Sequence, residues 1–108
     1  PEWFTTAPAK AIDIVLRRAN LSIDDIDLFE INEAFAAVSM AAMIDQKIPH
    51  EKVNIYGGAV ALGHPIGASG ARILVTLLHA LEQTNQRRGM AAICIGGGEA
   101  AAMIIERI

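Results

Sequence analysis

One cysteine, one tryptophan and one tyrosine are all that the 108-residue chain holds of those types. With a single thiol, Cys94, no internal disulfide can form, so packing alone must hold the fold, and such cysteine usage fits a reducing, cytoplasmic setting. Charge is scarce too. Charged residues make up 19% and the net charge is −3, which argues against a nucleic-acid partner, because phosphate neutralisation needs a basic excess. Apolar runs are short: none approaches the ~20 residues of a membrane-spanning helix, so no membrane partner is expected. Repeats, linkers and low-complexity segments are missing, and no targeting segment is visible. What remains is one small domain, residues 1–108, long enough for a core but near the size at which burial becomes limiting.

Alanine, isoleucine and leucine supply most of the apolar residues, and their periodicity sets the elements. Pro8 opens a helical pattern with Ile12, Val15, Leu16 and Ala19 at i, i+3, i+4 and i+7, an amphipathic helix that must pack on something. Residues 20–25 read as a turn with Ser22 as N-cap, followed by a strand over 26–31. A second helix over 33–46 is apolar on nearly every side and should be central. A turn at 48–50 leads to a short strand over 53–56. A third helix, 67–84, turns Ile73, Leu74, Leu77, Leu78 and Leu81 inward, and the methionines read as helical core filler. Strands over 91–95 and 100–105 are joined only by glycines and should pair antiparallel. The expected architecture is an α/β layered domain, a mixed sheet packed with helices in the order α-β-α-β-α-β-β.

Three short stretches carry chemistry. Residues 57–70, Gly-Gly-Ala-Val-Ala-Leu-Gly-His-Pro-Ile-Gly-Ala-Ser-Gly, set one titratable side chain, His64, in a glycine-rich and almost uncharged loop of the kind that lets backbone and ligand approach closely. The helix that follows would place the ring near a positive dipole end, favouring a neutral imidazole able to accept a proton. Met90-Ala91-Ala92-Ile93-Cys94-Ile95 carries the cysteine to the brink of Gly96-Gly97-Gly98, where a loop without side chains should leave the thiol reachable. Asn32, in Asn32-Glu33-Ala34-Phe35, ends an apolar run. All three lie at strand ends or beside them, where open α/β sheets build their sites.

Taken together, Asn32-Glu33-Ala34-Phe35, Gly63-His64-Pro65-Ile66-Gly67-Ala68-Ser69-Gly70-Ala71-Arg72 and Cys94-Ile95-Gly96-Gly97-Gly98 resemble, in order and spacing, the three C-terminal signatures of the thiolases, the acetyl-CoA acyltransferases. The resemblance covers essentially the whole chain. It implies that His64 activates the acyl-accepting cysteine and contributes to an oxyanion hole, and that Asn32 fixes a water in that hole. It implies further that Cys94 removes or returns the proton on the α-carbon of the attacking acyl-CoA, and that the Gly96 N–H serves the oxyanion hole of the covalent intermediate. Ala34 and Phe35 match positions beside the pantetheine arm. Coenzyme A thioesters would be substrates, with no resident cofactor and no metal. The family's nucleophilic cysteine lies in its N-terminal half, and this chain has no cysteine besides Cys94. The chain, which starts at Pro1 without an initiator methionine, therefore reads as a C-terminal portion expected to be inactive alone, its partners being the N-terminal portion, acyl-CoA and further copies in a dimer or tetramer. A mean hydropathy of +0.36 fits surface that the other half would cover. Coenzyme A phosphates find no basic cradle here, since Arg17, Arg18, Arg87 and Arg88 read as solvated helix ends.

Each residue has a plainer reading when taken alone. Asn32 is then a helix cap, Cys94 a small buried hydrophobe and His64 a satisfied loop histidine. His50 and His79 read as surface residues, and Glu33, as second residue of a helix, as a complement to its macrodipole. The joint arrival of the motifs favours chemistry. Carbon–carbon bond formation between thioesters needs an enolate whose oxygen is held by preorganised donors and a base that can return its proton, for which a cysteine of lowered pKa is suited. Rival readings are a noncatalytic lipid- or acyl-CoA-binding relative, a β-ketoacyl or hydroxymethylglutaryl-CoA synthase of shared fold, and a thioester hydrolase in which His64 activates Cys94 as nucleophile.

Overall fold

Pro8 in the first turn and a left-handed Asn20 (φ 56°) after the last bound helix α1, Ala7–Ala19, and the Asn20 N–H closes it on the Arg17 carbonyl. The computed structural model describes residues 6–96 and 98–108; Pro1 and Gly97 of the sequence motifs lie outside them. Helix α1 buries Ala9, Ile12 and Leu16, while Val15 is half-buried and Ala19 exposed, a narrower stripe than the periodicity implied. Ser22 caps the 3₁₀ turn Ile23–Asp25 as expected. Its N–H donates to Asp25 Oδ2 at 2.8 Å, and this bond holds the Asp25 carboxyl below the usual carboxylate range.

Strand β1, Leu28–Ile31, is buried throughout. It is shorter than the expected 26–31 because Ile26 still closes the 3₁₀ turn and Asp27 turns its carboxylate to the N–H groups of Arg87 and Arg88, 3.1 and 2.9 Å away. Strand β2, Arg88–Ile95, runs parallel to β1 with Leu28 opposite Gly89 and Ile31 opposite Ala92. Strand β3, Glu99–Glu106, returns antiparallel with Cys94 opposite Ala100, so the sheet order is β1-β2-β3. Arg87 and Arg88 are not helix ends: both pair with Glu106, Arg88 at 2.7 Å, and hold its carboxyl below the usual range.

The sheet lies between two apolar clusters. Ile12, Leu16, Phe29, Ile31, Met90 and Ala92 pack on the α1 side, and Leu28, Ala91, Ile73, Leu77 and Leu81 on the side of α4, Ser69–Gln83. Leu78 faces outward, about half exposed, and Leu74 lies between. Gly89 is what lets α4 settle on β2, since a Cβ there would stand 2.7 Å from Leu77 Cδ1.

Three expectations fail elsewhere. Helix α2, Ala36–Gln46, begins after an extended Phe35, so Glu33 is not in its first turn, and only Val38, Ser39 and Ala42 are buried; Met40 and Ile44 are exposed. Its apolar circumference is therefore not matched by a central position among the described residues. Nor are the methionines helical filler as a class: Met90 is a strand residue, fully buried, and Met103 on β3 is exposed. The strand expected over 53–56 is a single bridge, Val53 to Phe29, because Asn54 turns left-handed (φ 48°). The Asn54 side chain replaces the missing ladder, accepting from Ile31 N–H at 2.8 Å and donating to Ile31 C=O at 2.9 Å. The order α-β-α-β-α-β-β thus loses its second strand, and a short helix α3, Ala59–Leu62, appears within the glycine-rich loop instead.

Candidate active site

Pairing continues one residue beyond β1, where the Asn32 N–H donates to the Ala92 carbonyl at 2.9 Å and fixes a fully buried side chain. Its Nδ2 lies 3.4 Å from His64 Nδ1. Its Oδ1, equally buried, has no hydrogen-bond partner among the described residues, and a buried acceptor of this kind calls for a ligand or an ordered water. His64 arrives from the other side. Gly63 takes φ +97°, a conformation that side chains rarely adopt, and the Pro65 carbonyl accepts from Ala68 and Ser69 N–H at 2.7 and 2.9 Å, winding the chain into α4. The first residue of that helix, buried Ser69, puts its Oγ 2.5 Å from His64 Nδ1 and 3.2 Å from the Pro65 carbonyl.

Beneath this pair lies a buried ion pair. Glu30, two residues before Asn32, accepts from Arg72 Nη1 at 3.3 Å, and Arg72, one turn beyond Ser69, also reaches Thr76. Burial pushes the Glu30 carboxyl up to about 7; Arg72 opposes the shift, and the like charge of Glu33 adds to it. Glu33 is held off the helix and against the loop, where a Cβ on Gly58 would collide with its carboxylate.

Cys94 is neither as reachable nor as acidic as expected. Only 7% of it is exposed, and burial pushes its thiol up rather than down. Because side chains alternate along a strand, it shares the α1 face of β2 with Met90 and Ala92, and no hydrogen bond joins it to His64 or Asn32 among the described residues. Asn32 and Cys94 nevertheless lie at the carboxyl ends of the parallel strands β1 and β2, with His64 beside Asn32. Gly96 is exposed in the turn after β2, Phe35 is 66% exposed and Ala34 is half-buried. His50 and His79 are on the surface, as read from the sequence. Among the described residues no cluster of His, Cys, Asp and Glu is placed to hold a metal ion.

The description "Thiolase, C-terminal domain" fits residues 1–107. The chain belongs to the thiolase family. It is 56% identical over 107 residues to the cytosolic acetyl-CoA acetyltransferase of Mus musculus, covering 99% of this chain and 27% of that protein. Against acetyl-CoA acetyltransferase IB of Candida tropicalis it is 54% identical over 108 residues, with 100% and 27% covered. A probable acetyl-CoA acyltransferase of Staphylococcus aureus (strain NCTC 8325 / PS 47) is 51% identical over 107 residues, with 99% and 27% covered. The chain thus spans about a quarter of the length of these curated relatives.

Sequence reasoning about this thiolase chain missed Ser69, Glu30 and Arg72, although each carried a signal. Ser69 is the one hydroxyl in the Gly-Ala-Ser-Gly start of a helix, five residues from His64 and so back beside its ring. Glu30 is a carboxylate inside Leu28-Phe29-Glu30-Ile31, a strand otherwise apolar, and a buried strand cannot hold a charge without a cation opposite it.

Proposed function

We propose that this chain is the acid/base and oxyanion portion of a thiolase catalysing acyl transfer and Claisen condensation, or its thiolytic reverse, between acyl-CoA thioesters and 3-ketoacyl-CoA. The observation that carries the reading is the buried, unpartnered Asn32 Oδ1 beside the His64 ring. A water donating one proton to Oδ1 keeps its second for the oxygen of an enolate, and His64 Nε2–H supplies the other donor. In this reading His64 first takes the proton of a nucleophilic cysteine that lies outside this chain, whose only cysteine is Cys94. The acylated cysteine is then attacked by the α-carbon of a second acyl-CoA. Cys94 gives its proton to the coenzyme A thiolate released on acylation, takes the α-proton as a thiolate in condensation, and runs the same transfers backwards in thiolysis. Its burial keeps the thiol protonated at rest, the form that donates, and makes it a weak nucleophile, which counts against the hydrolase reading.

Gly96 N–H would serve the carbonyl oxygen of the acyl-enzyme, while Ala34 and the exposed Phe35 would flank the pantetheine arm. The names of the relatives support short acyl-CoA substrates and a reducing, cytoplasmic setting. The rest of the polypeptide and further copies of it complete the assembly. Pre-steady-state acylation in the complete enzyme tests the division of labour. His64→Ala slows both acylation and condensation, whereas Asn32→Ala slows condensation by up to about 10²–10³-fold, as removal of an oxyanion donor does, and leaves acylation near normal. Equal damage to acylation by both variants overturns the water-positioning role.

A further inference from the structure

We infer that Ser69 is a positioning residue that fixes the tautomer of His64, holding the proton on Nδ1 so that Nε2 is the bare nitrogen offered to the reacting thiol. The inference rests on the acid/base reading of His64. The geometry limits the choices. His64 Nδ1 is enclosed by two inward groups, Ser69 Oγ at 2.5 Å and Asn32 Nδ2 at 3.4 Å, which leaves Nε2 as the nitrogen free to face a substrate. A ring that takes a proton at Nε2 must carry its own proton at Nδ1, and that proton needs an acceptor.

Ser69 Oγ is placed to be that acceptor, because its own hydrogen has a separate destination. The Pro65 carbonyl lies 3.2 Å from Oγ, four residues back. The hydroxyl therefore donates to Pro65 and keeps its lone pairs for Nδ1–H. Burial of Ser69 and its position as first residue of α4 hold the oxygen in one place, with no charge of its own to trap the proton. When Nε2 gains the thiol proton the ring becomes doubly protonated, and Nδ1–H still donates to the same oxygen. No bond of Ser69 is made or broken. The same contact thus serves the neutral base and the cationic donor, and it turns the ring the same way in both.

Without the Ser69 oxygen, the remaining inward neighbour is the Asn32 amide at the longer distance. Its N–H would draw the ring toward the opposite tautomer, with Nδ1 accepting and Nε2 carrying the hydrogen. That ring can donate to an oxyanion but cannot take a proton from a thiol. Ser69→Ala should therefore hurt acylation more than it hurts binding, leaving KM nearly unchanged while acylation falls about 10–100-fold, the range seen when the hydrogen-bond partner behind a metal-bound imidazole is removed. Ser69→Thr, which keeps the hydroxyl, should recover most of the rate.

The deciding experiment is ¹⁵N NMR of the complete enzyme labelled at histidine, with the His64 signals assigned by their loss in His64→Ala. The expected wild-type spectrum shows a protonated Nδ1 and a bare Nε2 at the alkaline limit, and Ser69→Ala moves the ring toward a protonated Nε2. Wild-type protonation at Nε2 overturns the inference, with no variant needed. A Ser69→Ala enzyme with unchanged tautomer and unchanged acylation overturns it as well. If His64→Ala acylates normally, it is the acid/base reading of His64 that falls, and the spectra still report what Ser69 does to the ring.

Discussion

Glu30 sets the charge balance beneath the site, and its protonation has a sign that can be worked out. The carboxyl ionises near 7 in the folded chain against an ordinary 4.5, because burial outweighs the Arg72 cation. Below pH 4.5 both folded and unfolded chains hold the proton and the fold keeps its full stability. Between pH 4.5 and about 7 only the unfolded chain releases it, so stability falls as pH rises, by about 3 kcal/mol in all. Glu30→Gln keeps an acceptor for Arg72 and removes the titration. In urea unfolding followed from pH 4 to 8, the stability of wild type relative to Glu30→Gln should drop by that amount; a pH-independent difference means that Arg72 offsets the burial and leaves the carboxyl at its ordinary value. Cys94 offers a second check. Its buried, protonated thiol should alkylate with iodoacetamide more slowly than free cysteine at pH 7.5, and urea should restore the ordinary rate. Fast alkylation of the folded chain contradicts the burial. His64 stood out in the sequence because glycines and a proline isolate it, and Asn32 because it ends the apolar run before it. The environment of Cys94 was not, since strand alternation decides which face a thiol joins, and three glycines beyond it say nothing of that.

Among the elements, those whose period is carried by branched apolar residues were readable within a few positions: α1, α4, β2 and β3. The stretch 53–56 was not. Val-Asn-Ile-Tyr has strand composition, but a left-handed Asn54 ends the pairing and its amide satisfies both backbone groups of Ile31. Local propensity cannot show that a side chain will do a strand's work. Asn54→Ala should accordingly cost about 2–4 kcal/mol, since it leaves two buried backbone groups unpaired and puts a Cβ-bearing residue without a compensating side-chain bond in the left-handed region. Chemical denaturation measures the loss, and a cost under about 0.5 kcal/mol would place it with ordinary surface changes. Helix α2 shows the converse error. Its apolar circumference was legible, but a pattern apolar all round says only that a helix wants to be covered.

On the scale of the whole molecule, that uncovered surface and the single thiol point the same way. Ile66 is 84% exposed, Ile44 77%, Phe35 66% and Val60 65%, and the chain spans about a quarter of the relatives' length. Phe35, Val60 and Ile66 come from the segments that flank Asn32 and His64, whereas Ile44 lies in the last turn of α2. The proposed chemistry has the same gap. An acyl group must rest on a cysteine while the second thioester enters, and the one cysteine here sits buried at the end of β2 with its proton held. Acyl transfer also needs the His64 Nε2 to face the accepting thiol, and among the described residues the side-chain partners of the ring, Ser69 and Asn32, both meet Nδ1. The chain by itself should therefore produce no acetyl-CoA from acetoacetyl-CoA and coenzyme A above the uncatalysed rate. In the proposed reading, supplying the N-terminal portion of a thiolase, with a nucleophilic cysteine, should restore turnover. The assay is release of acetyl-CoA by the purified 108-residue chain with and without that portion. An enzymatic rate from the chain alone would make Cys94 the nucleophile and reverse the roles assigned to it and to the cysteine outside.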